Sequence, residues 1–264
     1  MDPLEIALNK ATNREEKKIE PAKQDKSKSI AIDYTQTKIH SINHELLRER
    51  RVVSLEKFGV ESEIFRVLRT KVLKQLRDNN WNSFGVTSPS KAAGKSMISV
   101  NLAIALAKEV NQTVLLVDLD LKNPRIDWYF DLHVEQGLGD YLLSDTSLSE
   151  VLVNPSIERL VVLPGRGKTI GSSELLTAPK MRQLIQEIKQ RYKSRIIIFD
   201  LPPILVSDDV LVSMDFFDAS LLVVEEGVNT PDEVSKSLKM LTGSNLLGTV
   251  LNKAGKIPDH IGSY

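Results

Sequence analysis

The chain has 264 residues, and its 35 Lys and Arg residues are balanced by 35 Asp and Glu residues. A chain without net positive charge lacks the uniform basic field that attracts nucleic acid, so the sequence indicates no nucleic-acid partner. Cys is absent, which excludes disulfide scaffolds, thiolate metal sites and cysteine nucleophiles. The sequence has neither an apolar run of membrane-spanning length nor the apolar region of a secretory signal. It therefore predicts a cytoplasmic protein that reaches a membrane only through a partner.

The composition changes along the chain and predicts four parts. Residues 1–45 are mostly polar, with too few apolar side chains to offset the entropy of ordering the backbone, which predicts a disordered or weakly ordered tail. The alternative for its beginning is a frayed helix from Pro3 to Lys10. Residues 46–80 contain an amphipathic helix and residues 81–255 an α/β domain. Residues 256–264 contain Gly and Pro and few apolar residues, and they are expected to form a flexible tail.

The helix predicted between Phe58 and Arg77 has apolar residues at spacings of three and four, which place them on one face. After Asn80, short β-branched runs alternate with helical stretches. This alternation predicts βαβ units, and continuously apolar strands indicate a parallel sheet that is covered on both faces. The fold class expected is therefore α/β, doubly wound, with a mainly parallel sheet and helices on both faces.

A loop of small residues follows the first strand of this domain, Phe84 to Thr87, and closes with Gly94-Lys95-Ser96 at the mouth of a helix. Backbone N–H groups and the helix dipole in such a loop face an anion, which predicts a phosphate site with Lys95 on a solvent-facing loop at the phosphates. The pattern departs from G-x-x-x-x-G-K-S/T, because Pro89 occupies its first position. The nucleotide-binding residues expected are Ser90, Lys91, Ala92, Ala93, Gly94, Lys95, Ser96 and Met97.

Three carboxylates follow predicted strands. Asp118 and Asp120 come after the strand Val114 to Val117, and Asp200 follows the strand Arg195 to Phe199. A single Asp after a strand is usually a helix cap or a turn residue. Because the carboxyl ends of parallel strands meet at the ligand crevice, we expect all three side chains to converge on the phosphate loop, where Mg²⁺ would bind.

Together, these three motifs resemble those of the bacterial tyrosine kinases that act in capsule and exopolysaccharide synthesis. These kinases belong to the deviant-Walker group of P-loop ATPases. The phosphate loop is similar to Walker A, LLVDLDLKNPR to Walker A′ and IIIFDLPP to Walker B. The resemblance implies ATP and Mg²⁺ as cofactors, with Lys95, Asp118, Asp120 and Asp200 catalytic and Ser96, Asp118 and Asp200 around the metal. It also implies that Asn252 contacts the adenine ring.

The helix before the domain carries the motif E-x-x-R-x-x-R, formed by Glu63, Arg66 and Arg69. Steps of three residues keep these side chains on one helical face, and the alternative explanation is an ordinary solvated charged face. In the family that it resembles, this motif lies at a similar distance before Walker A and packs subunits into a ring. The resemblance therefore implies a homo-oligomer in which these side chains are exposed in the monomer and paired only across subunits.

The sequence also departs from the family. The usual Tyr-rich C-terminal segment is replaced by Tyr264 alone, so Tyr264 is the candidate phosphoacceptor, and Ala92 and Ala93 stand where Gly and an acidic residue are typical. No fused membrane domain is present, which implies the split arrangement, in which a separate transmembrane chain-length or co-polymerase protein activates the kinase at the inner face of the cell membrane.

The function expected is an ATP-dependent protein-tyrosine autokinase that regulates exopolysaccharide or capsule synthesis or export. One alternative is a non-kinase assembly switch of the same fold, in which ATP occupancy controls oligomer state. A more distant alternative is a partition-type ATPase. Lys91 resembles the signature lysine of that group, but it lies one residue too close to Lys95 for their pattern.

Overall fold

The computed structural model describes residues 38–190 and 194–255. Within these ranges, eight strands form one sheet. The strands are β1 Lys38–Ile39, β2 Ser83–Thr87, β3 Thr113–Asp118, β4 Val153–Asn154, β5 Leu160–Leu163, β6 Arg195–Asp200, β7 Ala219–Glu225 and β8 Asn245–Asn252. The order across the sheet is β1-β4-β5-β3-β6-β2-β7-β8, and all neighbours are parallel except β4 and β5. The predicted α/β fold with a mainly parallel sheet is confirmed.

Helices connect the strands and cover the sheet. Their bounds are α1 His44–Glu49, α2 Val60–Asp78, α3 Lys95–Ala107, α4 Ile126–Phe130, α5 Leu138–Leu143, α6 Leu148–Val151, α7 Ser172–Thr177, α8 Pro179–Gln190, α9 Asp209–Val212 and α10 Pro231–Met240. Short 3₁₀ turns span Met214–Phe216 and Leu241–Gly243. None of the helices in these ranges combines the length and the apolar composition needed to cross a membrane.

Alternate residues of the central strands face two separate cores, which explains why those strands are continuously apolar. In β3, Val114 and Leu116 belong to the core on the side of α3, whereas Leu115 and Val117 belong to the core that includes α8. Helix α3 is buried along nearly its whole length because it lies between the sheet and α2. An all-round apolar helix is stable only in such a position.

The amphipathic helix predicted between Phe58 and Arg77 is α2, and its apolar face is buried through Phe65, Val72, Leu73 and Leu76. Gly59, with φ of 126°, precedes the first turn of α2. After the last residue of α2 come Asn79 and then Asn80, which has φ of 55°. Such positive φ values end regular structure locally.

The predicted N-terminal tail extends over residues 1–45, of which 1–37 lie outside the described residues. Lys38 and Ile39 form β1 beside β4, and α1 begins at His44. The predicted C-terminal tail, residues 256–264 with Tyr264, lies outside the described residues altogether. The sequence pattern did not indicate β1 and β4, because two-residue strands carry too little periodicity.

The strand order places the predicted motifs together. Strand β6 lies between β2 and β3, although β2 and β3 are consecutive in the central βαβ unit. Consequently the loop after β2 and the carboxyl ends of β6 and β3 share one edge of the sheet, with Asp118 opposite Asp200 in register. Ligands bind at this kind of crevice in open parallel sheets.

Candidate nucleotide site

The loop between β2 and α3 has two residues in the left-handed backbone region, Ala92 with φ of 64° and Gly94 with φ of 95°. Gly94 has a second constraint, because a Cβ at this position would lie 2.1 Å from the side-chain nitrogen of Asn252. Any other residue there would have a strained backbone and would displace the side chain of Asn252. The loop then enters α3 at Lys95, so its backbone leads into a helix N-terminus as the sequence predicted.

Side chains at the end of β8 and after β7 and β8 support the loop. Asn252 donates its side-chain N–H to the carbonyl of Ala93 at 2.8 Å, and Lys253 donates to the carbonyl of Ala92 at 3.0 Å. Asn229 donates to the hydroxyl of Ser90 at 2.8 Å. Asn252 was predicted to contact adenine by resemblance. Its hydrogen bond to the loop does not test that role. The contact itself was not apparent from the sequence.

Lys95 is the first residue of α3, and it is only 8% exposed. Its Nζ lies 2.8 Å from Asp120 Oδ2 and 3.9 Å from Asp200 Oδ2. The prediction of a solvent-facing lysine was therefore wrong, because the carboxylate at the end of β6 and the one two residues after β3 enclose the ammonium. Burial alone would lower the pKa of Lys95, but the charges of Asp200, Asp120 and Asp118 outweigh it and raise this pKa above its ordinary value.

Asp200 ends β6 and is fully buried, and it accepts hydrogen bonds from two hydroxyls of α3. Ser96 Oγ donates to Oδ2 at 2.5 Å, and Ser99 Oγ donates to Oδ1 at 3.0 Å. Burial raises the pKa of Asp200 despite the opposing effects of Lys95 and Ser96. Ser96 and Asp200 thus form one oxygen cluster, as their proposed metal role requires.

Asp118 is also fully buried at the end of β3. Its Oδ2 accepts backbone N–H groups of Arg125 and Ile126 at 2.9 and 3.0 Å, and its Oδ1 accepts that of Asp120 at 3.2 Å. Burial and the neighbouring charge of Asp200 nevertheless raise its pKa well above the ordinary value. These contacts hold the loop after β3 in shape, a role that the sequence did not reveal.

An open cleft of about 750 Å³ lies over the loop and Lys95. Of the predicted site residues, those that line it are Lys91, Ala92, Gly94, Lys95, Ser96 and Asp120. Asp118 and Asp200 lie buried beneath this surface, Ala93 is buried, and Met97 packs against the core. Sequence reasoning missed several other lining residues, among them Lys122, Tyr129, Lys168 and Pro203. Lys122 and Tyr129 follow Asp120 closely in the sequence, and this proximity could have indicated that they line the cleft.

Lys122 is held on the rim of this cleft by a second polar cluster. Its Nζ donates to Asp209 Oδ1 at 3.1 Å and to Ser207 Oγ at 3.0 Å. Asp209, which is fully buried, also accepts the hydroxyls of Ser172 at 2.8 Å and of Ser173 at 2.5 Å. The loop after β3 is therefore fixed to α7 and α9.

The donor set is compatible with Mg²⁺, although the structure shows no cage for a metal ion. Among the residues described, no group of three or more His, Asp or Glu side chains is arranged to hold a metal. Mg²⁺ commonly binds through one or two protein oxygens together with substrate phosphates and water. The hydroxyl of Ser96 and the carboxylates of Asp200 and Asp120 provide oxygens of this kind beside the loop.

Glu63, Arg66 and Arg69 make ion pairs within the chain. Arg66 pairs with Glu63 one turn earlier, and Arg69 lies 3.1 Å from Glu109, which follows α3. The expectation that these side chains pair only across subunits was therefore wrong. Their spacing showed a shared face of α2, but it could not show that Glu109 lies within reach of that face.

Ala92 provides a test of the loop geometry. We expect Ala92→Gly to exceed Ala93→Gly in stability by about 1–2 kcal/mol, because only Ala92 has the left-handed conformation that a Cβ disfavours. Glycine at the buried position 93 gains no such relief and loses a packed methyl group. Urea unfolding of both variants measures the difference. Equal stabilities would contradict the assigned backbone geometry.

The sheet, the loop and the buried carboxylates define an α/β domain of the P-loop NTPase type. Residues 90–239 match a family model described as an AAA domain. The chain is 30% identical over 207 residues to tyrosine-protein kinase YwqD of Bacillus subtilis, an alignment that covers 77% of this chain and 86% of YwqD. It is 32% identical over 192 residues to tyrosine-protein kinase Etk of Escherichia coli K12, covering 72% of this chain but only 26% of Etk.

A crystal structure of the chimerical protein CapA2B2 has the same fold, with a TM-score of 0.72 and 30% identity. The match covers 82% of this chain and 93% of that one. The chain belongs to the family of bacterial tyrosine-protein kinases.

Proposed function

We propose that this chain is an ATP- and Mg²⁺-dependent protein-tyrosine autokinase that regulates exopolysaccharide or capsule synthesis or export. The observation that carries the proposal is the position of Lys95, which lies at the end of the phosphate loop between Asp120 and Asp200 and beside Ser96. This arrangement combines one cation for phosphate oxygens with oxygen ligands for a metal ion. Phosphoryl transfer depends mainly on such positioning and electrostatic stabilisation.

Each residue of the arrangement has a distinct proposed role. Lys95 and the loop N–H groups bind the phosphates, and Ser96 and Asp200 hold Mg²⁺, with Asp118 behind them at the end of the neighbouring strand. Bound Mg²⁺ would neutralise negative charge on the phosphate oxygens. The proposed role of Asp120 is to orient an incoming tyrosine hydroxyl and accept its proton, and its position in the lining of the cleft supports this role. The remaining nucleotide contacts fall to Ser90, Lys91, Ala92, Ala93, Gly94, Met97 and Asn252.

The proposal includes a cytoplasmic protein at the inner face of the membrane, activated by a separate transmembrane chain-length protein. It also includes a homo-oligomeric ring that uses Glu63, Arg66 and Arg69. The side chains of Glu63 and Arg66 are half-exposed, so in the proposed ring each breaks their shared ion pair and forms an ion pair with a second subunit. Arg69 would have to leave Glu109 or share it.

The kinase proposal is tested by incubating the pure protein with labelled ATP and Mg²⁺ and then mapping any labelled residue by mass spectrometry. We expect label on tyrosine, with Tyr264 as the proposed acceptor, and its loss in Tyr264→Phe. The matched control is Tyr141→Phe, which changes a tyrosine that contacts Lys180 outside the cleft. Tight ATP binding without tyrosine labelling would overturn the kinase proposal and favour an assembly switch.

The ring proposal makes a separate prediction. We expect Glu63→Ala combined with Arg66→Ala to lower the oligomer mass measured by light scattering, with little change in stability because their surface pair contributes only about 0.2–1 kcal/mol. Lys74→Ala combined with Asp78→Ala is the control, since it removes another exposed ion pair from the same helix. An unchanged mass in the first variant, or a wild type that is monomeric with ATP and Mg²⁺, would contradict the ring.

A further inference from the structure

A second pocket, of about 230 Å³, lies away from the nucleotide site, between the segment before α2, the first half of α2 and the end of α3. We call it the basic pocket, because its lining includes Lys57, Arg66, Arg69 and Lys108 but only one carboxylate, Glu56. Glu56 Oε1 lies 3.2 Å from the guanidinium of Arg48, so its charge is partly neutralised from outside the pocket.

The cations of the basic pocket are incompletely paired. Arg69 interacts with Glu109, and Arg66 with Glu63, but Lys108 donates to the backbone carbonyl of Ser54 and makes no ion pair within residues 38–190 and 194–255. Burial lowers the pKa of Lys108, and the charges of Arg66 and Arg69 lower it further. Like charges that crowd in this way are stabilised by an anion.

Two polar atoms at the basic pocket also lack partners. The hydroxyl of Ser54, whose residue is 3% exposed, and Nε of Arg69 are buried without a hydrogen bond among the described residues. Both are donors, and a buried donor without an acceptor is costly. Neither atom has exposed surface of its own, so a ligand with several acceptor oxygens would satisfy them after a small rotation of the two side chains toward the pocket.

The wall that carries Ser54 is fixed in place. Asn101 is fully buried in α3, and its Oδ1 accepts the backbone N–H groups of Val53 and Ser54, both at 2.8 Å. Its Nδ2 donates to the carbonyl of Arg51 at 2.9 Å. The backbone that carries Ser54 is therefore held in position before any ligand arrives, which reduces the entropic cost of binding on this side of the pocket.

We infer that the basic pocket binds a phosphate-type oxyanion, held by Lys108, Arg66, Arg69 Nε and Ser54 Oγ. The volume accommodates a phosphate or the head of a phosphate monoester, and tetrahedral oxygens match several separate donors. Because Arg66 and Arg69 lie on α2, such an anion would fix the side chains that the proposed ring interface uses. The anion-binding inference itself does not require kinase activity.

The test is a titration of isotope-labelled protein with inorganic phosphate at constant ionic strength, followed by NMR of backbone amides. Ser54 and Ala105 report on the basic pocket, and Gly94 reports separately on the phosphate loop. We expect Lys108→Met to weaken the affinity reported by Ser54 at least about tenfold while the response of Gly94 is retained. Ser54→Ala should also weaken it, and Lys239→Met, which removes an exposed cation from α10, should not.

A parallel titration with phenyl phosphate distinguishes the two sources of the anion. Tighter binding of phenyl phosphate would indicate a phosphorylated tyrosine side chain, and tighter binding of inorganic phosphate would indicate the free ion. No saturable shift at Ser54 and Ala105, or equal affinities in wild type and Lys108→Met, would overturn the inference. A response at Gly94 alone would leave the nucleotide site intact and overturn only the second site.

Discussion

Lys95→Met is expected to reduce phosphotransfer at least about 10³-fold, because it removes the cation that, in the proposed site, faces the phosphates where charge develops. It also leaves Asp120 and Asp200 without their shared partner in a buried site. Removing one partner of a buried ion pair costs about 3–5 kcal/mol, so we expect a less stable protein as well as an inactive one. Phosphate incorporation from labelled ATP measures turnover, and urea unfolding measures stability. Calorimetric titration measures the ATP affinity, which we also expect to fall.

The control for this experiment is Lys91→Met, which removes an exposed cation from the same loop and should leave the stability unchanged. The wild type also has a definite pH dependence. Because the pKa of Lys95 is raised above its ordinary value of 10.5, its contribution to stability is complete below pH 10.5 and is lost as the pH rises through the raised pKa. Unchanged ATP affinity and turnover in Lys95→Met would contradict the phosphate-loop assignment.

Asp118→Asn is expected to separate stability from activity. We expect turnover to fall about 10²–10⁴-fold while nucleotide binding is retained, because the proposed role of Asp118 is to support the metal site and the loop after β3, and not to hold the phosphates. Stability at neutral pH, in contrast to turnover, should rise. Since the folded state raises the pKa of Asp118, the contribution of this group to stability is greatest below pH 3.8 and is lost as the pH rises from there through the raised pKa.

Asparagine carries no charge and keeps one oxygen for the backbone N–H groups, so Asp118→Asn should be more stable than wild type at neutral pH. Urea unfolding at several pH values checks this difference, and Asp145→Asn, in an exposed turn, is the matched control. Combined loss of nucleotide binding and stability in Asp118→Asn would show a purely structural role. Asp120→Asn should lose turnover without the gain in stability.

The sequence predicted those parts of the molecule that depend on local pattern and on the rules of parallel sheets. Buried strands such as β3 and β6 are continuously apolar, and a polar residue at the end of each marks the crevice, so the placement of Asp118 beside Asp200 at one edge of the sheet was predicted without a structure. The phosphate loop was recognisable because small residues, Lys95 and Ser96 occur between a strand and a helix.

Contacts between distant segments had no sequence signal. The burial of Lys95 depends on Asp120, which lies 25 residues further along the chain, and on Asp200, which is more distant still. The contact between Ser96 and Asp200 likewise joins residues that are 104 positions apart. The pairing of Arg69 with Glu109 depends on how α2 crosses α3. Such distances are set by packing of the whole domain, and periodicity reports only which residues of one element share a face.

The support of the phosphate loop by the end of β8 determines which way its peptide planes turn. A trans peptide unit directs its carbonyl and the following N–H in opposite directions. Lys253 and Asn252 hold the carbonyls of Ala92 and Ala93, so the N–H groups of Ala93 and Gly94 must point away from β8. The end of an edge strand, 159 residues further along the chain, thereby orients the backbone N–H groups of the phosphate loop.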